Sequence, residues 1–201
     1  MTAPPPPATF SDRARGVFAG LTAWAGGRMV ALGVHPDTIT WFGTGVVLVA
    51  AVAIGTGSLF LGGLLLLFSL PLDALDGATA RAMKRTDRRG AVLDSTLDRY
   101  ADGFITGGLV FYYATRADLL MLVVALAGGV GTFAVSYIRA RAGEAGLSVK
   151  VGFFSRFERV IVLLLMLLIP PLLPVGVWVL AIGTHLTALQ RLLYVNRHLD
   201  R

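Results

Sequence analysis

The sequence predicts an all-α, polytopic membrane protein, with six transmembrane helices following an N-terminal amphipathic helix that lies in the membrane interface. Three observations carry that prediction. Of the 201 residues, 55% are hydrophobic and the mean hydropathy is +0.72, too apolar for a soluble domain of this length. The apolar residues fall in continuous Leu, Val and Ala runs near the roughly 20 residues a helix needs to cross about 30 Å of hydrocarbon. These runs lack the alternation of a closed barrel, the other way to satisfy a backbone in lipid. The charges, finally, are one-sided. Of the 18 Lys and Arg residues, only Arg116 falls in a loop on the side opposite the termini. Excess cationic charge marks the cytoplasmic side, so both termini and every large loop belong in the cytoplasm, with the chain in the cell (inner) membrane.

The elements follow in order. Residues 1–9 contain a proline tract and read as an extended, disordered tail, not as a signal peptide. Residues 10–34 mix Phe10, Val17, Phe18, Leu21 and Trp24 with Arg13, Arg15 and Arg28, the composition of a helix lying on the inner surface. Six spans are expected at 38–57, 59–82, 92–114, 118–141, 157–172 and 174–194, forming one domain over 35–197 before a tail at 198–201. The chain has no cysteine, which excludes disulfides and thiolate metal sites. Its net charge of +6 suits anionic headgroups and phosphorylated substrates, and no soluble basic domain remains to bind nucleic acid.

Two apolar runs carry aspartates at their cytoplasmic ends, in DALDGATAR (73–81) and GAVLDSTLD (90–98). At about 100° per residue, Asp73 and Asp76 lie about 60° apart on one helix, and Asp94 and Asp98 about 40° apart on the next. A short connection makes these helices antiparallel neighbours, which brings all four carboxylates to one membrane depth. Such a cluster repels itself unless cations sit in it. With oxygen donors alone, the fitting ions are Mg²⁺ or Mn²⁺. Gly77 and Ala80 share a face with Asp73 and leave room for a ligand, while Arg81 is within reach of a phosphate. Taken singly, each aspartate also reads as a solvated helix end, and Asp94 as a favourable charge at a helix N-terminus.

Asp73-x-x-Asp76-Gly77-x-x-Ala80-Arg81, followed by Gly90-x-x-x-Asp94-x-x-x-Asp98, resembles the signature of the CDP-alcohol phosphotransferases. The resemblance implies transfer of a phosphatidyl or phospho-alcohol group from a CDP-linked donor to a hydroxyl, with release of CMP. It implies that Asp73, Asp76, Asp94 and Asp98 hold two divalent ions, with Asp98 also the general base. Gly77, Ala80, Arg81 and Gly90 match positions that accommodate the CDP moiety of CDP-diacylglycerol. Pro36-Asp37-Thr38-Ile39-Thr40 is similar to a short motif whose residues, here Pro36, Thr38 and Thr40, help enclose the nucleotide. Without the resemblance, this stretch reads as a turn and a helix start. A homodimer is also implied, and Gly128, Gly129 and Gly131 fit either that or packing within the chain.

The second half points to the acceptor. Ser136, Arg139, Arg141, Arg159 and Arg191 are candidates for binding a phosphate dianion, because convergent guanidiniums are what such a group requires. Lys150 and Arg156 read instead as membrane anchors. The run Ser136-Tyr137-Ile138-Arg139-Ala140-Arg141-Ala142, with Glu158-Arg159 and Gln190-Arg191, is similar to the branch of the family that makes phosphatidylinositol phosphate. Gly143 and Ser155 depart from it, standing where that branch commonly has Glu. The expected acceptor is a phosphorylated polyol, inositol 1-phosphate, with glycerol 3-phosphate the alternative. Serine offers no dianion for the arginines. An ion or proton path would also use membrane acids, but here they all lie at one membrane edge.

Overall fold

The computed structural model describes residues 10–85 and 88–199, with side chains from residue 20 onward. The expected tail at 1–9 lies outside the described residues, as do the last two positions of the C-terminal tail. Among the described residues the regular structure is all helical: α1 (Phe10–Ala31), α2 (Pro36–Gly55), α3 (Leu59–Ala82), α4 (Arg88–Ala114), α5 (Leu119–Glu144), α6 (Arg156–Leu168) and α7 (Leu173–His198), with an irregular segment at 145–155 before α6. Local sequence sets several of the boundaries. Pro36 opens α2, where its missing N–H costs nothing. Asp118 caps α5 by accepting a hydrogen bond from the Met121 N–H at 3.0 Å. Gly57, at φ +95°, makes the turn between α2 and α3.

Four helical segments are long and apolar enough to cross a membrane: Pro36–Gly55, Leu59–Ala82, Leu119–Glu144 and Pro170–His198. The other two expected spans differ for identifiable reasons. α4 has 27 residues, but its first half carries the charges of the second aspartate pair. α6 stops after 13 residues, short of the expected 172. Ile169 precedes Pro170 and is pushed out of the helical region, to φ −121° and ψ 81°. A single 3₁₀ turn, Pro170–Leu172, then leads into α7.

Helices α2 to α7 close a ring in the order α2, α3, α6, α7, α5, α4, and α1 packs outside it on α3. Each seam of the ring carries a glycine pressed against the neighbouring helix: Gly62 on Ile54, Gly63 on Leu167, Gly176 on Met166, Gly131 on Thr184, Gly129 on Thr106 and Gly108 on Ala51. The contact at Gly108 is against backbone, since a Cβ there would stand 2.5 Å from the Ala51 carbonyl oxygen. Gly128, Gly129 and Gly131 are thus used inside the chain. The apolar core lies within the ring, from Val47, Ile54 and Leu66 to Met166, Val177 and Leu180.

Candidate active site

The ring brings both aspartate pairs to the same end of the bundle. Asp73, Asp76 and Asp94 offer carboxylate oxygens that all lie within 4.8 Å of one another. At an effective dielectric near 20, each like-charged pair at that separation costs on the order of 3 kcal/mol. The all-oxygen donor set and the spacing fit a hard divalent cation. Asp76 is nearly buried, 8% exposed, and accepts a hydrogen bond from Thr40 Oγ1 at 2.8 Å. Thr40 lies on α2 one turn after Pro36, whose carbonyl its hydroxyl also reaches at 3.1 Å. Of the short Pro36–Thr40 motif, Thr40 is thus the residue that stands against the aspartates. Thr38 is exposed at the same helix start.

The small residues make a floor under guanidiniums. A Cβ on Gly77 would lie 3.3 Å from an Arg81 guanidinium nitrogen, and one on Gly90 would lie 3.0 Å from the Arg85 guanidinium carbon. Arg85 is ion-paired with Asp37, which ties the α3–α4 connection to the start of α2. Ala80 is half-buried on the same turn as Arg81.

Asp98 is not gathered into the triad. Both of its oxygens accept from Arg156, from Nη1 at 2.8 Å and from Nη2 at 2.8 Å. The same Nη2 also donates to Asp73 Oδ1 at 3.2 Å. The sequence reading of Arg156 as a membrane anchor is therefore corrected: its guanidinium bridges two of the four aspartates. Local sequence held no signal for this, because the partners lie 58 and 83 positions away.

Two cavities meet at this pair. One, of about 70 Å³, is lined by Thr40, Thr44, Asp73, Asp76, Asp98 and Arg156. The other, of about 120 Å³, has Asp98, Asp102, Thr132, Arg156 and Arg159 at its polar part and Leu66, Ile105, Leu163 and Leu180 among its apolar walls. Asp98 and Arg156 belong to both. Asp102, one turn past Asp98, lies 3.2 Å from Arg99 Nη2. Arg159 is buried, 6% exposed, and its hydrogen bond to the Thr132 carbonyl is long at 3.5 Å.

The remaining predicted arginines divide. Arg191 is buried and donates from Nε to the Val151 carbonyl at 3.1 Å and from Nη1 to the Val135 carbonyl at 2.7 Å. Arg139 is exposed near the C-terminal end of α5. Arg141 is turned to the exposed surface in an ion pair with Glu144, so the structure does not bring it to the cavity. Ser136 is half-buried on α5, one turn after Thr132. Ser155, a departure from the expected pattern, begins α6: its N–H and its hydroxyl both reach the Glu158 carboxylate. His185 hydrogen-bonds its own helix, at the Ala181 carbonyl.

The sequence model of the CDP-alcohol phosphatidyltransferase family matches residues 33–189. Among similar proteins, the phosphatidylinositol phosphate synthase of Streptomyces avermitilis is 36% identical over 94% of this chain and 84% of its own length. That of Mycobacteroides abscessus is 38% identical over 89% of this chain and 84% of its own. A crystal structure of the Mycobacterium tuberculosis phosphatidylinositol phosphate synthase with CDP-DAG bound superposes with a TM-score of 0.82, at 35% identity, over 87% of this chain and 92% of that one. The same protein in complex with manganese and citrate gives a TM-score of 0.81 over 87% and 88%.

Proposed function

Because the chain belongs to the CDP-alcohol phosphatidyltransferase family, we propose that it transfers the phosphatidyl group of CDP-diacylglycerol to inositol 1-phosphate, giving phosphatidylinositol phosphate and CMP. It is a membrane-integral enzyme of phospholipid synthesis. The observation that carries the acceptor is the adjacency of the two cavities: a cleft walled by carboxylates abuts one holding a buried arginine. A diphosphate with its cations suits the first, and a phosphate monoester suits the second.

In this reading Asp73, Asp76, Asp94 and Asp98 hold two divalent ions, Mg²⁺ or Mn²⁺. Such ions neutralise the diphosphate and stabilise the departing CMP. Gly77, Ala80 and Gly90 leave space for the CDP moiety, Arg81 meets its phosphates, and Pro36, Thr38 and Thr40 enclose the nucleotide. Arg159, with Arg139, Arg191 and Ser136, fixes the acceptor's phosphate. Asp98 takes the proton of the acceptor hydroxyl as that oxygen bonds to the phosphatidyl phosphorus and the bond to CMP breaks. Binding both substrates in line favours direct displacement over a covalent intermediate. Domain 35–197 performs the reaction with six spanning helices, α1 lies on the inner surface, and the active form is a homodimer.

Purified protein in detergent, given CDP-diacylglycerol and a panel of alcohols, should release CMP with inositol 1-phosphate and far more slowly with glycerol 3-phosphate. EDTA should stop turnover, and Asp76→Asn should nearly abolish it. Equal turnover of free inositol would reject the acceptor assignment. Labelled CMP exchanging into CDP-diacylglycerol with no acceptor present would reject direct displacement.

A further inference from the structure

Resting on the phosphatidyl-transfer reading, we propose that Arg156 is a resident counter-ion that competes with a divalent cation for Asp98 and Asp73 and, when displaced, serves the acceptor's phosphate, so that the two ligands bind cooperatively.

The argument begins with the use of lone pairs. Arg156 takes both oxygens of Asp98 in a fork at 2.8 Å and adds Asp73 at 3.2 Å. Asp73 also belongs to the carboxylate triad. A guanidinium and a divalent cation on one carboxylate repel each other across a few ångströms, so each weakens the other's hold. One must yield, and the guanidinium is built to move. Arg156 is the first residue of α6, and its side chain is 53% exposed, against 18% for Asp98. Four rotatable bonds separate its charge from the helix. Its anchor is fixed, since the Ser155–Glu158 capping contacts hold the helix start.

Position supplies the second half. Asp98 and Arg156 line both the aspartate cleft and the cavity that holds Arg159 and Asp102. A guanidinium leaving Asp98 remains at the boundary of the Arg159 cavity. There it meets buried Arg159, whose charge repels it unless a dianion lies between them. A phosphate therefore draws Arg156 off the aspartates, which raises their affinity for the cation. By linkage, the cation raises affinity for the phosphate by the same factor.

The test measures Mn²⁺ binding by electron paramagnetic resonance on purified protein in nanodiscs, with and without inorganic phosphate. In the wild type, phosphate should tighten Mn²⁺ binding about tenfold, a typical coupling between two sites. Arg156→Gln should bind Mn²⁺ about tenfold tighter without phosphate, and phosphate should then shift it little. Arg156→Lys, a point charge without the fork, should fall between the two. Mn²⁺ affinity unchanged or weaker in Arg156→Gln would overturn the proposal and leave the metal site standing. No Mn²⁺ binding by the wild type would overturn both.

Discussion

Arg159 and Arg191 carry the same charge at the same end of the bundle, both nearly buried, yet their donors are spent differently. Arg191 gives Nε and Nη1 to backbone carbonyls on α5 and on the segment before α6. Arg159 faces a cavity and reaches a carbonyl only at 3.5 Å. Arg159→Ala should therefore raise the KM for inositol 1-phosphate by about 10- to 100-fold, from the loss of a charge-assisted contact of roughly 1.5–3 kcal/mol. The KM for CDP-diacylglycerol should change less than about twofold. An equal rise for both substrates, in steady-state kinetics, would move Arg159 to the nucleotide. Arg191→Ala should raise the KM for inositol 1-phosphate and also lower thermal stability, because it removes the two charge-assisted hydrogen bonds that tie the segment before α6 and helix α5 to α7. The sequence names both arginines but does not separate them, since hydrogen bonds to carbonyls 40 and 56 positions away leave no local pattern. Arg156 was illegible for the same reason. The aspartates were legible because their geometry is local: i, i+3 and i, i+4 spacing fixes a shared face without knowledge of the fold.

At the scale of elements, α7 acts as a rail for the segment that launches α6. Thr187 Oγ1 accepts from the Phe154 N–H at 3.1 Å, Gln190 Oε1 accepts from the Phe153 N–H at 3.3 Å, and Arg191 holds the Val151 carbonyl. Helix α6 thus begins at a fixed place, and Arg156 and Arg159 begin with it. The late Gln190-Arg191 pair is visible in the sequence, but its grip on a segment some 37 residues earlier is not. Helix positions were read well from the apolar runs, apart from the end of α6, where the pre-proline effect at Ile169 outweighs an apolar sequence. Glycines were legible only as permissive positions; which neighbour each one admits is a property of the ring. Adjacent glycines on α4 make this testable. A Cβ at Gly107 meets nothing within 4 Å, whereas one at Gly108 meets the Ala51 backbone at 2.5 Å. Gly107→Ala should leave melting temperature unchanged or slightly raised, through helix propensity. Gly108→Ala should destabilise by about 1–3 kcal/mol, since backbone cannot step aside as a side chain does. Equal melting temperatures for the two variants would mean that α2 and α4 are not packed on one another at this seam.

For the whole molecule, the ring and the charge distribution make one argument about direction. Helix ends at 55–59, 114–119 and 168–173 gather at one end of the bundle, and among the described Lys and Arg side chains that end holds only Arg116. There Arg116 lies over the Tyr112 ring at 3.6 Å and donates to the Tyr112 carbonyl, so it is held to the end of its own helix. The opposite end holds the aspartates and their arginines. A nucleotide-linked donor and a phosphorylated polyol are soluble at their reacting ends, so the carboxylate end should face the cytoplasm, as the cationic excess also demands. Because the chain has no cysteine, single cysteines report this orientation without background. Ser58 and Ser148 are exposed at opposite ends, one before α3 and one before α6. In spheroplasts, a membrane-impermeant maleimide should label Ser58→Cys at once and Ser148→Cys only after lysis. The reverse pattern would place the aspartates outside the cell and separate them from the soluble acceptor. Labelling of both before lysis would mean that the ring does not span the membrane as a sealed bundle.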